Sequence, residues 1–155
     1  MFKRFRARAR ERLAGITLLL LVSLLGAFAV AAPAWASNAT VVIPFEKHWV
    51  EPGHYLGSAC DGGTIEMFVS DSSVTGGVQH FTATLNLSVG TRSLTAILHG
   101  DFTFSTGRVV LNGVVVDGWL KGAQVHEESR YTGDDQNTGG PSFTGTVQLM
   151  PGSAD

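Results

Sequence analysis

The stretch FTATLNLSVGTRSLTAILHGDFTF, residues 81–104, decides the fold. Phe81, Ala83, Leu85, Leu87 and Val89 fall on one face of an extended chain, and Thr82, Thr84, Asn86 and Ser88 fall on the other. Successive side chains leave a strand on opposite sides, so this period of two marks a half-buried β-strand. After Gly90-Thr91 the alternation resumes. Leu94, Ala96, Leu98, Phe102 and Phe104 share a face, while Thr95, Ile97, His99, Asp101 and Thr103 line the opposite one. A two-residue turn keeps both apolar faces on the same side. The segment reads as a hairpin with one dry face and one wet face.

The neighbouring segments repeat the theme. STG at 105–107 turns the chain, RVVLNGVVVD at 108–117 is apolar on both faces, and Asp117-Gly118 is a hairpin signal. WLKGAQVHEESRY at 119–131 and SFTGTVQLM at 142–150 supply further strands, separated by the polar loop TGDDQNTGGP, 132–141. Earlier, TVVIPF at 40–45, TIEMFVSD at 64–71 and part of 47–59 add more. No long window carries a helical period, and glycine is abundant. The expectation is an all-β fold: one small antiparallel β-barrel of about seven or eight strands, with a two-sheet sandwich as the alternative. Gly100, Gly113, Gly122 and Gly145 fall where a barrel bends or bulges. The expected core is Phe81, Leu85, Leu98, Phe102, Val114 and Trp119.

The N-terminus reads differently. Lys3, Arg4, Arg6, Arg8, Arg10 and Arg12 precede an apolar run from Leu13 to about Ala32, and PAWAS follows with Ala34 and Ala36 in A-x-A spacing. Basic head, apolar middle and small-residue exit define a secretory signal peptide rather than a retained anchor. Residues 1–36 are therefore expected to be removed between Ala36 and Ser37, leaving 37–155 as a single barrel domain. The destination is outside the cell, the periplasm or the cell envelope, with no stable membrane insertion after cleavage. The mature chain carries five basic residues against twelve acidic ones, a formal charge of −7. That balance argues against nucleic acid as a partner.

HWVEPGHYLGSACDGG, residues 48–63, holds His48, His54, Asp61 and the chain's single cysteine, Cys60. Zinc wants about four N or S ligands at tetrahedral spacing, and these intervals match no zinc signature. The stretch reads as an irregular connection, with Trp49, Tyr55 and Leu56 packing over one barrel end. Cys60 reads as a small buried apolar group. HEES at 126–129 lacks the second histidine of a metalloprotease helix, and neither a G-x-S-x-G elbow nor a phosphate-binding loop occurs. No metal or cofactor is expected.

Strand pairing raises one further constellation. The 90–91 turn sets His80 opposite Asp101 and Thr82 opposite His99. A three-residue turn at 105–107 and a two-residue turn at 117–118 then bring Gln124 near Asp101 and His126 beside Val109, with Glu128 continuing the row. His80, His99, Asp101, Gln124 and His126 are thus the candidate ligand-binding residues. They are either the wet outer wall of a barrel or the lining of a polar cavity, where imidazole beside carboxylate performs acid–base work.

TGRVVLNGVVVDGWLKGAQV, residues 106–125, resembles the glycine-punctuated strand pairs of dirigent and allene-oxide-cyclase-like barrels. The resemblance implies a small barrel with a central pocket, and self-association as an option. No catalytic residue of either family carries over. Three functions are open at this level: a non-catalytic exported barrel that binds a small apolar or amphipathic molecule or a surface partner; a small lyase or isomerase using the polar-face histidines and Asp101; and a structural or adhesive envelope protein. The first expects an apolar pocket lined by Phe81, Leu98, Phe102 and Trp119.

Overall fold

A computed structural model describes residues 39–152; the expected signal peptide lies outside these residues. The chain forms eight antiparallel strands: β1 (Val41–Glu51), β2 (His54–Ala59), β3 (Gly63–Thr75), β4 (Val78–Val89), β5 (Arg92–Thr103), β6 (Arg108–Gly118), β7 (Gln124–Asp134) and β8 (Pro141–Met150). Each pairs with its neighbour in sequence, and β1 pairs with β8, so the sheet closes into an up-and-down barrel. Closure gives every strand a neighbour on each side, although β3 runs past β2 and pairs only with β4 over Asp71–Thr75. The sandwich alternative is set aside.

The hairpin at 78–103 folds as the alternation demands. His80 pairs with Asp101, Thr82 with His99 and Leu85 with Ala96 around the Gly90-Thr91 turn. Gly90 sits at φ 59, the conformation required at the first central position of a II′ hairpin turn. Inward positions from all eight strands fill the interior. Ile43, Ile65, Ala83, Leu85, Ala96, Leu98, Leu111, Val115, Val125, Val147 and Leu149 are all at most 2% exposed, which leaves the middle of the barrel solid. An eight-stranded barrel is just wide enough for its side chains to fill it.

Loop lengths overturn part of the expected register. Thr103 pairs with Arg108, so the β5–β6 loop holds four residues, one more than the STG turn implied. One residue exchanges the two faces of a strand. Val114 therefore points outward, paired with Ile97 and Gln124, and is not a core residue; Val109, Leu111 and Val115 point in instead. The expected strand at 119–131 also begins late. Residues 119–122 form a turn and β7 starts at Gln124, which exchanges the faces a second time. The two shifts cancel on β7, so Val125, Glu127 and Ser129 point in while Gln124, His126 and Glu128 point out.

Residues 48–63, expected to be irregular, are mostly regular strand: the end of β1, a turn at Pro52-Gly53, β2 and a single 3₁₀ turn at Cys60–Gly62. Leu56 is on the outer wall rather than over a barrel end. Cys60 is only half-buried, at the edge of the core.

The two barrel ends differ. At one end Trp119 and Leu120 pack against the core beside Val41 and Val89, and the Arg92 guanidinium lies 4.7 Å from the Trp119 ring centre. The other end carries the 52–53, 76–77, 104–107 and 135–140 turns and is ringed with aromatic side chains.

Candidate functional site

The aromatic ring arises from the inward alternation running past the solid core. Beyond Leu85 and Ala83 the next inward residue of β4 is Phe81; beyond Leu98 on β5, past Gly100, it is Phe102. β8 contributes Phe143 and β2 contributes Tyr55. Phe143 is the hub, with edge-on contacts to Phe102 at 5.6 Å, Tyr55 at 5.9 Å and Tyr131 at 6.0 Å between ring centres. Phe104 packs edge-on against Phe102 at 5.0 Å and is half exposed. Edge-to-face geometry suits the ring quadrupoles and leaves apolar faces open between them.

A hollow of about 30 Å³ lies under this ring, opening to the rim; Lys47, Tyr55, Met67, Val69, Gln79, Phe81, Phe102, Val109 and Phe143 line it. That is room for a water-sized group. Burial raises the Tyr55 hydroxyl above the ordinary tyrosine range.

A buried ion pair lies beside the hollow, and of its two members only Lys47 lines it. Lys47 on β1 and Glu127 on β7 both occupy inward positions, 2% and 0% exposed, and reach across β8 to form an ion pair at 2.5 Å. Lys47 Nζ also donates to Met67 Sδ at 3.2 Å and lies 5.0 Å from the Phe45 ring centre. Ser129 Oγ donates to Glu127 Oε1 at 3.3 Å. Glu127 Oε2 is the one buried side-chain polar atom among the described residues without a hydrogen-bond partner. Alternation alone could have exposed this pair: in KHWVE and AQVHEES, Lys47 and Glu127 keep step with the apolar residues Ile43, Phe45 and Val125.

The residues singled out from the sequence all lie on the outer wall. His80 Nδ1 meets Asp101 Oδ1 at 2.5 Å, with both side chains 52% exposed. Thr82 Oγ1 lies 3.0 Å from His99 Nδ1. These four, with Asp71, Ser72 and Ser73, border a shallow open groove. His126 Nδ1 bonds Asn112 Oδ1 at 2.8 Å, and Asn112 is the strand partner of His99. The expected neighbours of the β7 residues are corrected: His126 lies beside Asn112 rather than Val109, and Gln124 lies beside Val114, away from Asp101. Glu128 instead pairs with Val110, the partner of Asp101, and accepts from Arg108 Nε at 3.0 Å. The expected pocket lining divides likewise. Phe81 and Phe102 border the mouth, Leu98 is sealed in the core, and Trp119 sits at the opposite end.

The chain matches no family model, no curated protein and no solved structure. What stands of the dirigent-like resemblance is the architecture, an eight-stranded antiparallel barrel.

Proposed function

We propose that this protein is an exported, non-catalytic binding barrel whose aromatic mouth takes a small apolar or amphipathic molecule. The observation that carries the reading is the ring of Tyr55, Phe81, Phe102 and Phe143 around an incompletely filled hollow at one end of an otherwise solid barrel. Concave, mostly apolar sites with a few convergent polar groups are the common form of a small-molecule site. The hollow is small, so a ligand inserts a tip and rests its apolar body against the rim. The outer wall supports a water-facing barrel: Glu46, Glu66, Asn86, His99, Asn112 and Glu128 face out among apolar residues such as Leu56, Phe68 and Val114, while the interior is mostly apolar, unlike a membrane barrel with a polar lumen. Export rests on the basic head, apolar run and Ala-Trp-Ala exit of the N-terminal segment.

The test is a nuclear magnetic resonance titration of the purified protein with p-xylene as an apolar probe. Shifts confined to the amides and rings of Tyr55, Phe81, Phe102 and Phe143 are expected. Shifts elsewhere, or none at saturation, overturn the reading. The acid–base alternative rests on the His80–Asp101 pair, and its half exposure leaves that pair in water, where such interactions are weakest.

A further inference from the structure

We infer that the free edge of β3 over Asp71–Thr75 docks an extended peptide strand with a cationic side chain, completing the barrel wall where β2 falls short. β2 holds six residues and β3 thirteen. Their pairing stops at His54 and Phe68, and the last bond on that side runs from Val69 N–H to Gly53 O at 2.7 Å. Beyond the 52–53 turn, Asp71–Thr75 has β4 on one side only. The edge is preformed, because β4 and β5 continue alongside it. Val74 pairs with Gln79, Val78 pairs with Thr103, and Phe104 N–H reaches Gly77 O at 3.1 Å. An edge already in place spares an incoming strand the cost of ordering it.

Register decides which backbone groups face the empty side. Opposed residues of an antiparallel pair alternate between bonded and non-bonded. Val69 turns its N–H toward Gly53, so Phe68 bonds Thr84 on β4, and the bonding residues of β4 run on as Thr82, His80 and Val78. Their partners are Asp71, Ser73 and Thr75, because the bulge at Ser70 takes up one residue. Ser72 and Val74 therefore turn N–H and C=O to the empty side. The segment has none of the lysine or proline that commonly blunts an edge, and Val74 is 63% exposed.

Charge chooses the partner. Asp71 is the charged side chain of this edge, and Glu51, 70% exposed, stands beside the 52–53 turn. The cations Arg108 and Arg130 lie on β6 and β7, three and four strands away. A second copy would bring the same acids to the contact, whereas a lysine or arginine opposite Asp71 gains a cross-strand ion pair. Alternation sets the remaining positions. Those opposite Ser72 and Val74 point inward, as Phe81 and Gln79 do, and suit small apolar side chains. Strand addition of this kind takes affinity from the backbone and specificity from alternate side chains.

The experiment titrates the purified protein with the peptide acetyl-TVTVK-amide, whose lysine falls opposite Asp71 when it runs antiparallel to β3, and follows the amide resonances. Shifts and slowed hydrogen exchange centred on Ser72 and Val74 are expected, with acetyl-TVTVE-amide about threefold weaker or more. Val74→Pro removes an N–H from the free side and no bond to β4, the placement in which an edge strand tolerates proline. It is expected to abolish peptide binding and to leave the β6–β8 amides unshifted. A peptide methylated on both valine nitrogens cannot donate to the edge; it is expected not to bind the native protein, and it decides the matter if the proline variant does not fold. No binding at saturation, equal binding of the lysine and glutamate peptides, or binding that survives backbone methylation overturns the inference. Concentration-dependent broadening of the 71–75 amides without peptide would assign the edge to a second copy instead, and overturns it too.

Discussion

At the residue scale, the Lys47–Glu127 pair is an ion pair held inside the barrel. Breaking a buried ion pair from one side leaves an uncompensated charge, whereas replacing both partners by apolar groups is close to neutral. Lys47→Met is therefore expected to cost about 3–5 kcal/mol in urea denaturation, and the paired apolar replacement to return most of that loss. A second residue-scale prediction concerns Asp135 in the β7–β8 loop. Backbone N–H groups of Thr138 and Asn137 donate to its carboxylate at 2.9 Å and lower its pKa. A lowered folded pKa means the loop's order is fully present above the ordinary carboxylate range and is lost as pH falls through the lowered value. Protection of the Asn137 and Thr138 amides, taken relative to their intrinsic exchange rates at each pH, should thus fall in acid before that of the barrel amides, and Asp135→Asn should remove that pH dependence.

At the scale of elements, inward glycines let the strands coil. Gly100 and Gly113 occupy inward positions on β5 and β6, and a Cβ at either would run into the backbone of the paired strand, at Val110 O and Ile97 O respectively. Valine suits strands generally, yet Gly113→Val is expected to destabilise by about 1–3 kcal/mol through overpacking. Thr84→Val, on the outer face of β4, should stay within about 0.5 kcal/mol. Thermal denaturation of the two variants checks this. Both loop-length corrections also belong here. Four residues, Phe104 to Gly107, connect β5 to β6 where three were expected, and the turn after Gly118 delays β7 to Gln124. Each changes which face is wet; together they leave His126 and Glu128 on the face expected for them, but with different neighbours.

For the whole molecule, the division between solid core and open mouth is testable by paired truncations. Leu98→Ala, in the filled interior, should cost about 2–5 kcal/mol. Phe102→Ala, at the half-buried rim, should cost less than about 3 kcal/mol while abolishing p-xylene binding, since a partly exposed ring surrenders less buried area. A Phe102→Ala loss as large as a full core truncation, with binding intact, would make the ring a plug. β8 closes the barrel by pairing with both β7 and β1, so removing residues 141–155 opens two edges at once. Loss of cooperative folding by circular dichroism is the expected result.

The sequence by itself determined the strands and the direction of their faces wherever a turn declared its own length. Period-two alternation is a local signal, and Gly90-Thr91 transmits it unchanged, which is why His80–Asp101 and Thr82–His99 pair as read. It also determined the all-β character of the described residues, because glycine, β-branched residues and alternation there favour strands over helix. Only the tertiary structure decided closure, through the distant pairing of β1 with β8, and hence that Lys47 and Glu127 meet. Eighty positions separate those two residues in the chain, and no local pattern measures a distance across a barrel. The structure also decided that the histidine face is the outer wall, because inside and outside are defined only once the sheet has closed on itself.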